Sequence, residues 1–571
     1  MQFVLLKLKN NPLGFSLILN FILFIITYIV AKPYFQSNDD VGMMLLSAGK
    51  IFAFEPTPYL QFMHVLVGDF LNFLYTYFPH GYWYGLFFIF CLFISYSAIC
   101  YTIIKRESNQ LYVLALYLLF FIISGYYVIV SLQFTIVASM LAIAGLMLLF
   151  FIHYNENIRY FKEAIFRKLA PYQVVSIGFI ILASLIRFES MLFISLLFIP
   201  IIFYNLYQIQ ERFKTIYKLK VLVISFLTCF LLQKYHVYRY DSWSDFLEFN
   251  TKRAMFVDYN ILGYAPKEAQ IKALRAANWT INDYYMLMTW FFAEDKLYNI
   301  ENFDKAIKQL PAYKHHIKLR ELIDYQIQVY SYFRVVLAIF IFFLGLCFCK
   351  KQDIILCIGV FIFLPIMLVG IHYFLKAPPM RVFLPAFHFI AILPMIFFHF
   401  TWNDLISHQV RLIGVLISLL IIILKTHYLS ETDQPINEVA EYRKKNLKDF
   451  TDVLSNLGQE QILVSWGQFF PYEYILPFSD LSVLGKRLRI IGLGTSQQTP
   501  DTKKMMYKLD INNIYVDLVR KDNLFLVANE ELVKYYVQYM KEHYNLDVVV
   551  DVVIKDNHSG RVFKIREVKN Y

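Results

Sequence analysis

Charge is scarce in this chain: Lys, Arg, Asp and Glu make up 17% of its 571 residues, too few to cover a soluble protein of that length. Cysteine is scarce too. Cys91, Cys100, Cys229, Cys347, Cys349 and Cys357 all fall in or at the ends of apolar runs, where they read as small buried hydrophobes. They offer no disulfide framework and no zinc-ligand spacing. No internal repeat and no low-complexity linker interrupts the sequence. The first apolar segment ends at Tyr28-Ile29-Val30-Ala31-Lys32-Pro33 without a small-x-small cleavage site, which argues for an uncleaved first helix rather than a signal peptide.

What is abundant is apolar length. Hydrophobic residues make up 58% of the chain and aromatics 18%, and the mean hydropathy is +0.49. Apolar runs of roughly 20 residues, the length that spans a bilayer, recur through most of it. The fold class is therefore a polytopic α-helical membrane protein. The net charge of +11 could suggest nucleic acid, but Lys and Arg cluster in short segments between the runs, as the positive-inside rule requires. No nucleic-acid partner is expected, and the bilayer is.

With Lys7 and Lys9 inside, the spacing gives eleven crossings, at about 13–31, 82–104, 111–130, 134–153, 174–186, 191–206, 221–233, 332–348, 354–374, 382–400 and 411–424. The basic segments around Lys105-Arg106, Arg159–Lys168, Arg212–Lys220 and Lys350-Lys351 then fall inside. Residues 32–81 form a first external loop and 234–330 a large one, within a membrane domain of residues 1–425. Residues 426–571 read as a small external α/β domain. Gln461–Ser465, Asn513–Leu518 and Leu546–Ile554 are expected as strands there, and Glu530–His543 as an amphipathic helix.

The chemistry concentrates at span ends. Asp39 and Asp40 lie just past the first crossing, where adjacent carboxylates are costly near lipid. One could act as a general base, with the second orienting it or helping to hold a cation. The same residues would also make good helix-capping chemistry before Val41-Gly42-Met43. Arg187 and Glu189 occupy a turn between two crossings, where Arg187 could hold a lipid-linked phosphate and Glu189 a substrate, or the two could simply pair. Lys376 and Arg381 flank a Pro378-Pro379 turn on the side that the positive-inside rule disfavours, and a leaving phosphate would give them a purpose. In the large loop, Asn282, Asp283, Tyr284 and Trp290 combine amide, carboxylate and aromatic groups suited to a carbohydrate, though aromatics also pack at membrane surfaces.

This arrangement resembles the GT-C superfamily of membrane glycosyltransferases. The residues that carry the likeness are Asn38-Asp39-Asp40 with the helix expected over Val41–Gly49, Arg187-Phe188-Glu189, and Lys376-Ala377-Pro378-Pro379-Met380-Arg381 running into Val382–Pro385. The resemblance covers about residues 1–425 and implies about eleven transmembrane helices in a GT-C-like catalytic domain. It further implies a polyprenyl-phosphate sugar donor, a glycan or glycolipid acceptor of the cell envelope, and catalysis by Asp39 with Asp40 second. Donor-phosphate binding falls to Arg187, Lys376 and Arg381. The expected setting is a bacterial cytoplasmic membrane, with the active site and the C-terminal domain on the extracytoplasmic side. No organic cofactor is expected, and these residues leave a divalent cation open. A polysaccharide polymerase or O-antigen ligase, and a lipid-linked-sugar transporter or flippase, are the competing readings.

Overall fold

The computed structural model describes residues 11–51, 53–106, 110–152, 168–208, 211–311, 318–374, 376–398, 445, 460–467, 472–481, 489–555 and 561–568. It divides into two compact bodies, each assembled from three remote stretches of chain. One comprises Met1–Gln36, Gly85–Leu232 and His315–Ala440; the other comprises Ser37–Tyr84, Gln233–Lys314 and Glu441–Tyr571.

The first body is helical. Among the described residues, seven helical stretches have the length and hydropathy to cross a membrane, or eight if the pair Leu319–Ser331 and Phe333–Leu346, bent by 73°, is one span. Phe134–Phe151 is buried along its whole length and forms the hub. Small residues explain how its neighbours come so close. A Cβ on Gly145 would lie 2.9 Å from Cβ of Phe179, and Ser176 donates to the Gly145 carbonyl at 2.7 Å.

The 37-residue apolar stretch Pro171–Tyr207 folds back along this hub. Arg187, extended at φ −157°, ends one helix and starts the next. Its guanidinium lies 5.7 Å from the ring of Phe134, at the hub's start, whereas Phe198 lies 5.9 Å from Phe150, at the hub's end. The turn expected at Arg187 is therefore present. Among the described residues between 84 and 233, six apolar helical arms follow one another: Trp83–Arg106, Val113–Val130, Phe134–Phe151, the two arms on either side of Arg187, and Arg212–Tyr238. Phe333–Leu346, Lys351–Phe374 and Met380–Ile396 occupy the next three expected crossings. The expected crossing at 411–424 lies outside the described residues, as do Lys7 and Lys9.

The second body is built on a five-stranded mixed sheet. Its strands are β1 (Ile462–Ser465), β2 (Arg489–Gly492), β3 (Leu524–Ala528), β4 (Val548–Lys555) and β5 (Arg561–Glu567), in the order β2-β1-β3-β5-β4. β1 pairs in parallel with β2 and β3, and β5 is antiparallel to β3 and β4. The segment 513–518, expected as a strand, is instead the helix Ile514–Arg520. Asn513 caps it, accepting from the backbone N–H groups of Tyr515 and Val516, and Ile514, Tyr515, Leu518 and Val519 form a buried stripe of helical period.

The large loop does not stand apart from this sheet. Phe249, Phe256, Trp279, Phe291 and Phe303 share one hydrophobic core with Trp466, Tyr515, Tyr536 and Tyr539. Phe291 stacks on Tyr515 with centroids 4.4 Å apart. Residues 233–314 and 441–571 thus fall in one compact unit. Aromatic area buried between the loop and the tail is what joins them.

Candidate active site

The helix Asn38–Ser47 begins one residue after the chain leaves the helical body. Asp39 and Asp40 sit in its first turn, where negative charge complements the helix dipole. Their environments differ sharply. Asp40 is sealed, accepting from the Ser37 hydroxyl at 2.8 Å and the Tyr84 hydroxyl at 3.2 Å. Asp39 points along the face formed by Asn38, Gly42 and Leu46, and that face borders a cavity of about 440 Å³. Gly49, at φ +63°, ends the helix. A Cβ there would lie 2.4 Å from the backbone of Glu55 and Pro56, so only glycine fits.

The opposite wall comes from the sheet. Trp466 and Gly467 follow β1, Gly494, Thr495 and Ser496 follow β2, and Asn529 follows β3, all at the carboxyl ends of the parallel strands. The connection out of β1 leads to β2 on one side, and that out of β3 leads towards β4 on the other. The cavity thus lies where strand order reverses, the usual ligand position in such sheets. Gln61, from the first loop, accepts a hydrogen bond from Thr495.

Met288, Thr289 and Trp290 of the large loop complete the lining. The Trp466 indole donates to the Thr289 carbonyl at 2.7 Å, and Gln497 donates to the Trp290 carbonyl at 3.2 Å and to that of Gly494 at 2.9 Å. Trp290 is held at φ +70°, a strained conformation for a bulky residue. Behind its ring, at 4.7 Å, stands the buried guanidinium of Arg253, which pairs with Asp258 at 3.2 Å. Burial lowers the Arg253 pKa, while Asp258 and then Asp39 oppose that shift. Tyr472 also borders the cavity; burial, with the nearby Asp39 charge, pushes its phenol up, so it stays protonated. Among the described residues, Asp39 is the one carboxylate in the lining, and neither Lys, Arg nor His contributes to it.

Of the residues singled out in the sequence, Asp39 and Trp290 meet at this cavity. Asn282, Asp283 and Tyr284 do not border it. Asn282 donates to the Tyr535 carbonyl at 3.0 Å, and Asp283 accepts from the Thr280 amide and pairs with His543, both at 2.7 Å. The Tyr284 hydroxyl donates to Asn260 at 2.6 Å. All three are buried and hydrogen-bonded within the fold. Arg187, Glu189, Lys376 and Arg381 belong to the helical body. There Arg187 pairs with Glu189 at 3.0 Å, Lys376 is exposed, and Arg381 is half-buried in the first turn of Met380–Ile396.

Among the described residues, the group with the geometry to hold a metal is Asp283, Glu542 and His543; Asp39 and Asp40 belong to no such group. Its donor atoms are already engaged, Glu542 accepting from Thr280 at 2.8 Å and Asp283 pairing with His543. Sequence reasoning missed Arg253, Trp466, Tyr472, Thr495 and Gln61. The run Gly492-Leu493-Gly494-Thr495-Ser496 after an apolar segment was a readable signal of a strand-end loop. Nothing in the sequence marks Arg253.

No protein-family model matches the chain, and no curated protein does. A search of solved structures finds similarity to the crystal structure of ArnT from Cupriavidus metallidurans bound to undecaprenyl phosphate, at 10% identity over 97% of each chain with a TM-score of 0.36. The site is accordingly read from this chain's own residues.

Proposed function

We propose that this protein is a membrane glycosyltransferase that moves a sugar from a polyprenyl-phosphate donor to a glycan or glycolipid acceptor of the cell envelope. The observation that carries the reading is Asp39: a carboxylate at a helix start, opening onto a cavity lined by aromatic, amide and hydroxyl groups. Its task is to accept the proton of the acceptor hydroxyl as that oxygen bonds to the anomeric carbon. The bond from the anomeric carbon to the phosphate oxygen breaks, and the lipid phosphate departs as a stable anion, so no second acid is required. Asp40 holds the turn that aims Asp39. The sugar is a hexose or pentose, and the active face is extracytoplasmic, following the positive-inside assignment of the basic loops.

The donor phosphate is assigned to Arg187, Lys376 and Arg381, on the sequence reading of those cations at span ends. Purified protein in detergent, supplied with labelled polyprenyl-phosphate sugars and an envelope lipid extract, should transfer label, and Asp39→Asn should not. Full transfer by Asp39→Asn would remove the central claim. A deletion strain with an unchanged envelope glycan profile would favour transport instead.

A further inference from the structure

Among the described residues, the cavity at Asp39 has no cation in its lining. A phosphate or pyrophosphate bound there would find, among those residues, none of the Arg or Lys partners that such groups ordinarily recruit. What the walls do present suits polyhydroxylated, uncharged matter. Gln61 and Thr495 already bond to one another across the first loop and the sheet, and Ser496 and Asn529 stand beside them at the strand ends. Trp290 supplies an aromatic surface, fixed by an unusual backbone conformation and by the guanidinium behind it. Strain concentrated at such a residue points to use rather than accident. The volume, about 440 Å³, lies within the range of small-molecule sites.

We infer that this cavity is a neutral-sugar subsite, with Trp290 as its stacking platform and the carboxyl ends of β1, β2 and β3 as its specificity-determining wall. The C-terminal sheet is then part of the substrate site, and the chain's selectivity among sugars resides in Thr495, Ser496 and Asn529. This rests on the reading of Asp39 as the base, because the sugar held here is one of the two that react beside Asp39.

Calorimetric titration of the full-length protein in detergent, with methyl glycosides of several hexoses and pentoses and with inorganic pyrophosphate, tests it. At least one methyl glycoside should bind saturably and should not be displaced by pyrophosphate. Trp290→Ala should weaken that binding about tenfold, and Trp290→Phe much less. If Trp290→Ala does not fold, Ser496→Ala and Trp290→Phe carry the test, and a change in the rank order of glycosides is expected from the first. Absence of glycoside binding, displacement by pyrophosphate, or binding indifferent to both positions would overturn the inference. A transfer assay on the wild type, run beside the titration, separates the two readings. Glycoside binding that persists while the wild type transfers no sugar sinks the transferase reading and keeps the subsite; transfer without glycoside binding does the reverse.

Discussion

The guanidinium of Arg253 lies 4.7 Å from the centre of the Trp290 ring, and Trp290 borders the same cavity as Asp39. A buried cation behind an aromatic wall is held by the ring's electron-rich face and by Asp258. It fixes the indole without placing its own charge in the lining.

Removal of Arg253 should therefore loosen the wall before it unfolds the protein. Arg253→Met is expected to cost about 1–2 kcal/mol, because the Asp258 side chain left behind is 41% exposed and can be solvated. Thermal melting in detergent reads the cost. Transfer activity should fall further than stability does, since the Trp290 ring loses its backing.

Asp39 and Asp40 should respond oppositely. Asp39→Asn is expected to reduce transfer roughly a hundred- to ten-thousandfold with the melting temperature preserved. Asp40→Ala strands the Ser37 and Tyr84 hydroxyls and should cost about 1–3 kcal/mol of stability. A fully active Asp39→Asn, or an Asp40→Ala as stable as wild type, contradicts the division of labour.

Gly49 sets where the Asp39 helix stops. With φ at +63° and a virtual Cβ 2.4 Å from the Glu55 and Pro56 backbone, Gly49→Ala must displace the following loop. A loss of about 1–3 kcal/mol is expected, with reduced activity. Gly42→Ala is the control on the same helix, since nothing lies within 4 Å of its virtual Cβ. It should melt as wild type does.

The His543–Asp283 pair predicts a pH dependence. Its hydrogen bond to Asp283, outweighing burial, raises the His543 pKa above the ordinary value of 6.5. A raised histidine stabilises the fold fully below its unfolded pKa, and the gain is lost as pH rises through the folded one. His543→Gln should lower the melting temperature at pH 6 and have little effect at pH 9. An equal effect at both values would assign the residue a purely packing role.

The membrane spans were legible because apolar length is a direct reading of bilayer thickness. The reversal at Arg187 was legible because a charged pair between two apolar runs has few other places to go. The 513–518 segment was misread because its β-branched and aromatic residues suit either strand or helix, and the Asn513 cap decides between them. The site was half-legible. Asp39 is conspicuous in sequence, but the wall facing it comes from positions more than four hundred residues later, such as Thr495 and Asn529. Asp283 shows a related limit of the sequence: nothing in it announces that His543 and the Thr280 amide bond to that carboxylate.

The second body draws on the chain at residues 37–84, 233–314 and 441–571, so its sheet is synthesised last. During translation Asp39 emerges early and must wait, with no opposing wall, until the final strands leave the ribosome. A chain stopped anywhere before β3 would carry the membrane helices and the acidic turn but would lack Asn529 and Leu532 of the cavity wall.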